Sequence, residues 1–402
     1  MLPLLKGFRI VDVTAVILGP YATQILGDLG AEVIKIEPLD GDSMRVVPPI
    51  AEATISSLFA NNNRNKRSIA LDLKQADGKA VLQRLIGRAD ALIHNMRQEA
   101  FDRLGFSVET VQAINPKIVY CAAVGFGSDG PYAGRPAYDD VIQSMSGFAG
   151  LSAMRDGTPS LAPSIIADKV VGLHVAYAVL AALLHRERNG GPGVAIEVPM
   201  FEAMTAFNMN EHLDRATFAA DGSVGYARAL SPQRKPYRTR DGWIAVLPYT
   251  YPHWSRTLAA VGRDDLVGAN WLRDGGERNQ RAPELYQVLE AVLTDRTTVE
   301  WLAIFEGIDI PCGRVNSPKD LLSDPHLLAV GMFDTNFEGP TPVKRTVRQP
   351  IRFERLAASA DIAPPILGAD TRMILLDAGY SEAEITDLCH RGVVRACDGA
   401  AA

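Results

Sequence analysis

Cysteine is scarce in this chain of 402 residues, and the four present, Cys121, Cys312, Cys389 and Cys397, show no Cys-x-x-Cys or Cys/His pairing. That excludes a disulfide scaffold or a zinc ribbon, since both need partners at short, paired intervals. Basic residues are not in excess: 41 Lys+Arg stand against 47 Asp+Glu, a net charge of −6. A nucleic-acid binder carries a positive surplus to neutralise phosphates, so no nucleic acid is expected as a partner. The longest apolar run, Val170 to Leu184, is interrupted by Gly172 and His174. It falls short of the roughly 20 residues that span a bilayer, so it reads as a buried core helix and no membrane partner is expected. The opening Met1-Leu2-Pro3-Leu4-Leu5-Lys6-Gly7 lacks the charged start and apolar stretch of a secretory leader, which makes the cytoplasm the expected location. Also missing is the Gly-x-Gly-x-x-Gly turn that cradles a dinucleotide pyrophosphate. Thr14-Ala15-Val16-Ile17-Leu18-Gly19-Pro20 stands in its place, so a nicotinamide or flavin enzyme is disfavoured. No metal and no tightly bound cofactor is expected.

What is present is the composition of a globular enzyme, 47% hydrophobic and 22% charged. The chain is longer than the roughly 250 to 300 residues at which one core stops growing, so at least two lobes are expected. Strand patterns at Phe8 to Val13, Ala31 to Glu37, Ser68 to Leu73, Asp90 to His94 and Ile118 to Ala122 alternate with helix patterns at Gly19 to Leu29, Ala76 to Ala89 and Glu99 to Leu104. Such alternation predicts an α/β fold with a doubly wound parallel sheet. A further strand is expected at Val194 to Val198, followed by a long helix from Met200. Residues 1–220 form the first part of the large domain, 221–236 a polar linker and 237–316 a smaller α/β domain. Residues 317–402 return to the large domain, which is therefore built from both ends of the chain.

The most apolar helix opens with Ala167-Asp168-Lys169-Val170-Val171-Gly172, which sets Asp168 alone at its mouth. A carboxylate there faces the positive end of the helix dipole and can accept bonds from unpaired backbone amides, which would hold it ionised. From position alone two readings stay open: Asp168 caps its helix, or it is a nucleophile. Upstream, Gly125-Phe126-Gly127-Ser128-Asp129-Gly130-Pro131-Tyr132-Ala133-Gly134-Arg135-Pro136-Ala137-Tyr138-Asp139 is dense in glycine and proline, a composition that lets backbone approach a ligand. Between Asn63 and Lys74, the cations Arg64, Lys66, Arg67 and Lys74 flank a strand. They suit phosphate groups, and equally a solvated basic turn. His174 reads as core. His253, in Leu247-Pro248-Tyr249-Thr250-Tyr251-Pro252-His253-Trp254 with Arg234 and Lys235 nearby, either lines a ligand pocket whose cations suit a carboxylate or closes a structural turn.

These stretches resemble the class III (CaiB/BaiF) CoA-transferase family, of the formyl-CoA and dicarboxylate CoA-transferase kind. Gly7 to Thr14 and Leu26 to Pro38 look like its opening strand, helix and strand. Asn95-Met96-Arg97, with the trailing Arg103-Leu104-Gly105-Phe106, is similar to its Asn-Phe-Arg signature, Met96 replacing Phe. Pro38 stands where some members carry arginine, and Ile310 to Asn316 with Asp324-Pro325-His326 resemble the return to the large lobe. The resemblance implies an interlocked homodimer with an acyl-CoA, succinyl-CoA being the first candidate, and a small carboxylic acid as substrates. It places the catalytic role on Asp168, through aspartyl anhydride and aspartyl-CoA thioester intermediates. Coenzyme A contacts would fall on Val16, Ile17, Leu71, Lys74, Asn95, Met96, Arg97, Arg103, Pro136, Ala137, Tyr138 and Asp139. Each carbonyl addition creates an oxyanion, and Gly125, Gly127 and Gly130 are candidates for exposing amides to it. The glycine-rich loop that closes over the acyl group in several members has no counterpart here. Two alternatives remain. One is α-methylacyl-CoA racemase chemistry, although that branch has a histidine where this chain has Tyr138, a poor base at its ordinary pKa of about 10. The other is a silent CoA-binding protein.

Overall fold

A computed structural model of the protein describes residues 1–49, 55–333, 337–338 and 343–396; Cys397 lies outside them. The chain divides into two compact units, one of Met1–Phe148, Leu161–Phe207 and Ala329–Ala402, the other of Ala149–Ser160 and Asn208–Leu328. The expected linker at 221–236, which carries no helix or strand, and the expected boundary near 316 both fall inside the second unit, whose borders lie at Asn208 and Leu328.

The first unit begins with β1 (Arg9–Val13), α1 (Leu18–Asp28), β2 (Glu32–Glu37), α2 (Ser57–Asn62), β3 (Lys66–Leu71), α3 (Ala76–Ile86), β4 (Ala91–His94), α4 (Gln98–Arg103), α5 (Val108–Ile114) and β5 (Val119–Val124). It continues through α6 (Asp139–Met145); α7 (Phe148–Asp156) belongs to the second unit from Ala149 on, and α8 (Ile166–Asn189), β6 (Ala195–Pro199) and the first part of α9 (Met200–His212) belong again to the first. The second unit holds β7 (Tyr237–Arg238), β8 (Trp243–Val246), α10 (Tyr251–Ala260), α11 (Asn270–Arg273), α12 (Gly275–Gln280), α13 (Ala282–Val292), α14 (Thr298–Gly307), β9 (Cys312–Arg314) and α15 (Pro318–Leu321). The chain then passes through α16 (Pro325–Ala329), β10 (Phe337–Glu338), β11 (Asp361–Ile362), α17 (Thr371–Asp377), α18 (Glu382–His390) and β12 (Val394–Arg395).

The large sheet has the order β12-β3-β2-β1-β4-β5-β6, all parallel except β12, which runs antiparallel to β3. Its central strands are buried along nearly their whole length, as a sheet covered on both faces requires. On one face Leu18, Ala22 and Leu26 of α1 pack with Val171, Val175 and Val179 of α8. On the other, Val81 and Leu85 of α3, Phe101, Val111, Ile374 of α17 and Ile385 of α18 form a second core. The doubly wound parallel sheet read from the strand and helix patterns is therefore present, and α17, α18 and β12 add the chain's last elements to it. Gly172 lets α8 sit against the start of α1, since a Cβ there would lie 2.8 Å from the Leu18 carbonyl oxygen. Gly190, left-handed at φ 62, ends α8.

The second unit is a three-stranded antiparallel sheet, β7-β8-β9, with α10, α13 and α14 supplying Trp254, Leu258, Leu285, Leu289, Trp301 and Phe305 to its core. Cys312–Arg314 is the third strand of this sheet, inside the smaller lobe expected over 237–316.

Candidate active site

In the order β3-β2-β1-β4-β5-β6 the connections leave in opposite directions from β1 and β4, which opens a crevice at the carboxyl ends of those two strands. A cavity of about 520 Å³ lies there. The turn after β1 contributes Ala15 and Val16, the turn after β4 contributes Asn95, Met96 and Arg97, and the glycine-proline loop after β5 contributes Gly125, Phe126, Ser128 and Pro136 to Tyr138. Asp168, Glu197 and Met200 complete its deeper wall.

Asp168 is the third residue of α8, and its carboxylate accepts no hydrogen bond among the described residues. Its own backbone N–H, one of the unpaired donors of the helix start, donates to Asp139 Oδ1 at 3.0 Å. Asp139 of α6 thus supplies an acceptor to the first turn of α8, where the N-cap residue Ile165 offers none. This settles the capping alternative against Asp168, whose side chain is left for other use. It also corrects the expectation of an ionised carboxylate held by amides. Burial first, then the neighbouring Asp139 charge, push the Asp168 carboxyl up to about 7.

The turn after β1 is held on every side. Val16, β-branched, sits at φ 72, a conformation that costs about 1 to 3 kcal/mol and persists only where surroundings impose it. Asn95 accepts from Ala15 N at 3.0 Å and donates to Ala15 O at 2.8 Å. Lys35 Nζ donates to Thr14 O at 2.9 Å, Asp12 Oδ1 accepts from Thr14 N at 3.0 Å, and Asp42 Oδ1 receives Val16 N at 3.4 Å. Beneath them Lys66 bonds Asp12 at 3.0 Å and Lys35 bonds Asp42 at 3.0 Å, all four side chains buried. Burial pushes the Asp12 carboxyl up, but Lys66 and Lys35 outweigh it and hold the group below the usual carboxylate range.

Among the residues expected to contact coenzyme A, Val16, Asn95, Met96, Arg97, Pro136, Ala137 and Tyr138 line the cavity with Asp168. Asp139 stands beside it through its bond to Asp168. Ile17 and Leu71 are buried outside the lining, and Lys74 and Arg103 are exposed, Arg103 lying 3.9 Å from Glu99. The amide of Asn95 is fully engaged with Ala15.

Several expectations fail for identifiable reasons. The basic run between Asn63 and Lys74 is not a phosphate patch: Arg64 is buried against Asp28 at 2.5 Å, Lys66 against Asp12, and Arg67 binds Glu32 at 2.7 Å. The Gly127 amide donates to Glu202 Oε1 at 2.9 Å and the Gly130 amide to Gly127 O, so neither is free for an oxyanion. His174 is half-buried and bonds Val170 O on its own helix at 2.8 Å. Tyr249 N donates to His253 Nδ1 at 3.4 Å while His253 N donates to Thr250, which is the structural-turn reading of that segment. Lys235 pairs with Glu290 at 2.7 Å. Glu197, Glu202, Phe126 and Gln143 were not anticipated. Only Gln143 left a trace in the sequence, four residues after Asp139 on one helix face.

A model described as CoA-transferase family III matches residues 5–371. The chain belongs to that family. Membership makes it an acyl-CoA:carboxylate CoA-transferase, with coenzyme A thioesters as substrates. The succinyl-CoA:glutarate CoA-transferase of Mus musculus is 32% identical over 97% of this chain and 90% of that protein. The formyl-CoA:oxalate CoA-transferase of Escherichia coli O157:H7 is 32% identical over 95% of this chain and 97% of that protein. Among solved structures, a CaiB/BaiF family protein from Brucella suis superposes with a TM-score of 0.80 at 28% identity, covering 94% of this chain and 100% of that one.

Proposed function

We propose that this CoA-transferase moves coenzyme A from a donor acyl-CoA, succinyl-CoA being the first candidate, to a small dicarboxylic acid through covalent adducts on Asp168. The observation that carries the reading is a lone carboxylate, without hydrogen-bond partners among the described residues, facing a cavity at the sheet's switch point. The Asp168 carboxylate attacks the thioester carbonyl, the C–S bond breaks, and coenzyme A leaves as a thiolate from a mixed anhydride. The thiolate then attacks the aspartyl carbonyl and expels the donor acid, which leaves an aspartyl-CoA thioester. The acceptor carboxylate opens that thioester to a second anhydride, and the freed thiolate attacks its acceptor acyl carbon, giving the product thioester and restoring Asp168. A nucleophile with a raised pKa is the better nucleophile once ionised, and burial supplies that rise here.

The twelve residues named for coenzyme A remain the proposed binding set, with Lys74 and Arg103 offering charge outside the cavity lining and Ile17 and Leu71 able to offer backbone only. With Lys235 neutralised, support for a dicarboxylate acceptor comes from the glutarate and oxalate in the names of the relatives. No histidine is among the residues lining the cavity, which weighs against racemase chemistry. A homodimer is part of the proposal. Leu173, Tyr177 and Leu184 form an exposed apolar stripe on α8, and Val347, Ile351, Phe353 and Leu356 are exposed between β10 and β11, surfaces that a second copy would cover.

The test is incubation of the purified protein with succinyl-CoA, a panel of acids and hydroxylamine, read by mass spectrometry. New acyl-CoA species and a hydroxamate at Asp168 are expected. No exchange with any acid and no adduct at Asp168 would leave a silent binder, and deuterium uptake at the alpha carbon would mean a racemase.

A further inference from the structure

Gln143, on α6, has no solvent exposure, yet it carries a full set of polar contacts. Its Nε2 donates to Asp139 Oδ2 at 2.5 Å and to Ser164 O at 3.3 Å, while its Oε1 accepts from Ala162 N at 2.9 Å. Asp139 is therefore held at both oxygens, one by Gln143 and the other by the backbone of residue 168. The segment 161–165, which leads into α8, is tied to α6 by the same side chain. An amide buried this completely would be costly if unpaired, so its arrangement is over-determined by the groups it joins.

We propose that Gln143 is a positioning residue for the candidate nucleophile: it locks the Asp139 carboxylate against the first turn of α8 and anchors the segment from which that turn begins. The inference rests on the reading of Asp168 as the nucleophile. It goes beyond that reading, because Gln143 is absent from the cavity lining and acts only through Asp139 and the backbone.

The electrical consequence follows from the neighbours. Glu99, Glu197, Arg97 and Arg135 line the cavity with Asp168, and Lys169 on α8 donates to Ser164 Oγ at 2.8 Å. Among the described residues Asp139 is the one charged side chain hydrogen-bonded to residue 168, and it is the charge that raises the proton affinity of Asp168 after burial. Without the Gln143 donor, Asp139 is free to swing away from the start of α8, and its charge no longer has a fixed place beside Asp168. That weakens the repulsion and lowers the pH at which Asp168 ionises.

The experiment compares the full-length wild type with Gln143→Met, which keeps the volume and removes both ends of the amide, and with Gln143→Glu, which keeps the length and adds a carboxyl. Ionisation of Asp168 is read by carboxyl NMR of protein labelled with ¹³C-aspartate, the signal being assigned with Asp168→Asn. Turnover is read separately. For Gln143→Met a downward shift of about half a pH unit or more is expected in the Asp168 midpoint and in the acid limb of the rate. With it should come a roughly tenfold fall in kcat and a KM for the thioester within about twofold of wild type. For Gln143→Glu the midpoint is expected to move upward instead. An unmoved midpoint in folded Gln143→Met, whatever happens to kcat, overturns the proposal; if that variant does not fold, Gln143→Glu decides by the same signal. A moved midpoint in a protein that transfers no acyl group supports the positioning role and defeats the nucleophile reading, so the two failures are told apart.

Discussion

The backbone N–H of Asp168 donates to the carboxylate of Asp139 across 3.0 Å, so the group that satisfies the start of α8 is also the charge that opposes ionisation of the side chain on the same residue. Position and proton affinity at residue 168 are therefore set together, and they can be separated by substitution.

In the proposed mechanism only the ionised form of Asp168 attacks, and its carboxyl is pushed up to about 7, so kcat/KM should climb as pH rises through about 7. Asp139→Asn keeps an oxygen for the Asp168 N–H but removes the charge. Its acid limb should move to lower pH while staying above the ordinary aspartate value of about 3.9, because burial, the larger cause, is untouched. A pH profile identical to wild type would contradict the assignment.

A carboxyl that titrates higher when folded than when unfolded binds more protons in the folded state between those values, so it costs stability as pH rises from about 4 to about 7. Asp168→Asn has no proton to lose. It should resist urea better than wild type at pH 8 by on the order of a few kcal/mol, and the gap should close as pH falls toward 4. Equal unfolding midpoints at both extremes would rule this out.

Asn95 holds both polar groups of Ala15, next to the strained Val16. Asn95→Ala should raise KM for the thioester about tenfold or more, the scale of losing contacts worth roughly 1 to 3 kcal/mol, with a smaller effect on overall stability. Titration of coenzyme A by calorimetry checks this, and unchanged affinity would show that the turn keeps its shape unaided.

At Gly172 an added methyl would meet the Leu18 carbonyl oxygen at 2.8 Å and the Tyr21 ring at 3.0 Å. Gly172→Ala should therefore destabilise by about 1 to 3 kcal/mol through forced separation of α1 and α8. Urea unfolding measures it. A neutral result would mean the two helices slide apart freely.

The parallel sheet was readable because β4 and β5 are almost wholly apolar, β1 and β2 keep Ile and Val around single interior charges, and the covering helices carry apolar stripes; Phe8 to Val13 and Ala76 to Ala89 needed no tertiary information. The cavity was partly readable, since Val16, Asn95 and Asp168 lie at strand or helix ends, where the switch-point rule puts ligands. What sequence could not tell was who spends which charge. Lys66 and Arg64 look like free cations until Asp12 and Asp28, distant in sequence, are found against them. Gln143 and Glu202 matter only through partners that folding brings close, Ser164 and Gly127, and no local pattern announces such pairs.

The antiparallel strand Val394–Arg395 seals the outer edge of β3, near the far end of the chain. On the ribosome, that edge must wait, with its backbone groups unmatched, until residues 394 and 395 have emerged, while the inserted unit has its three strands synthesised sooner. Premature termination shortly before residue 394 would thus yield a protein with its candidate nucleophile in place but an open, adhesive sheet border, prone to pairing with its siblings.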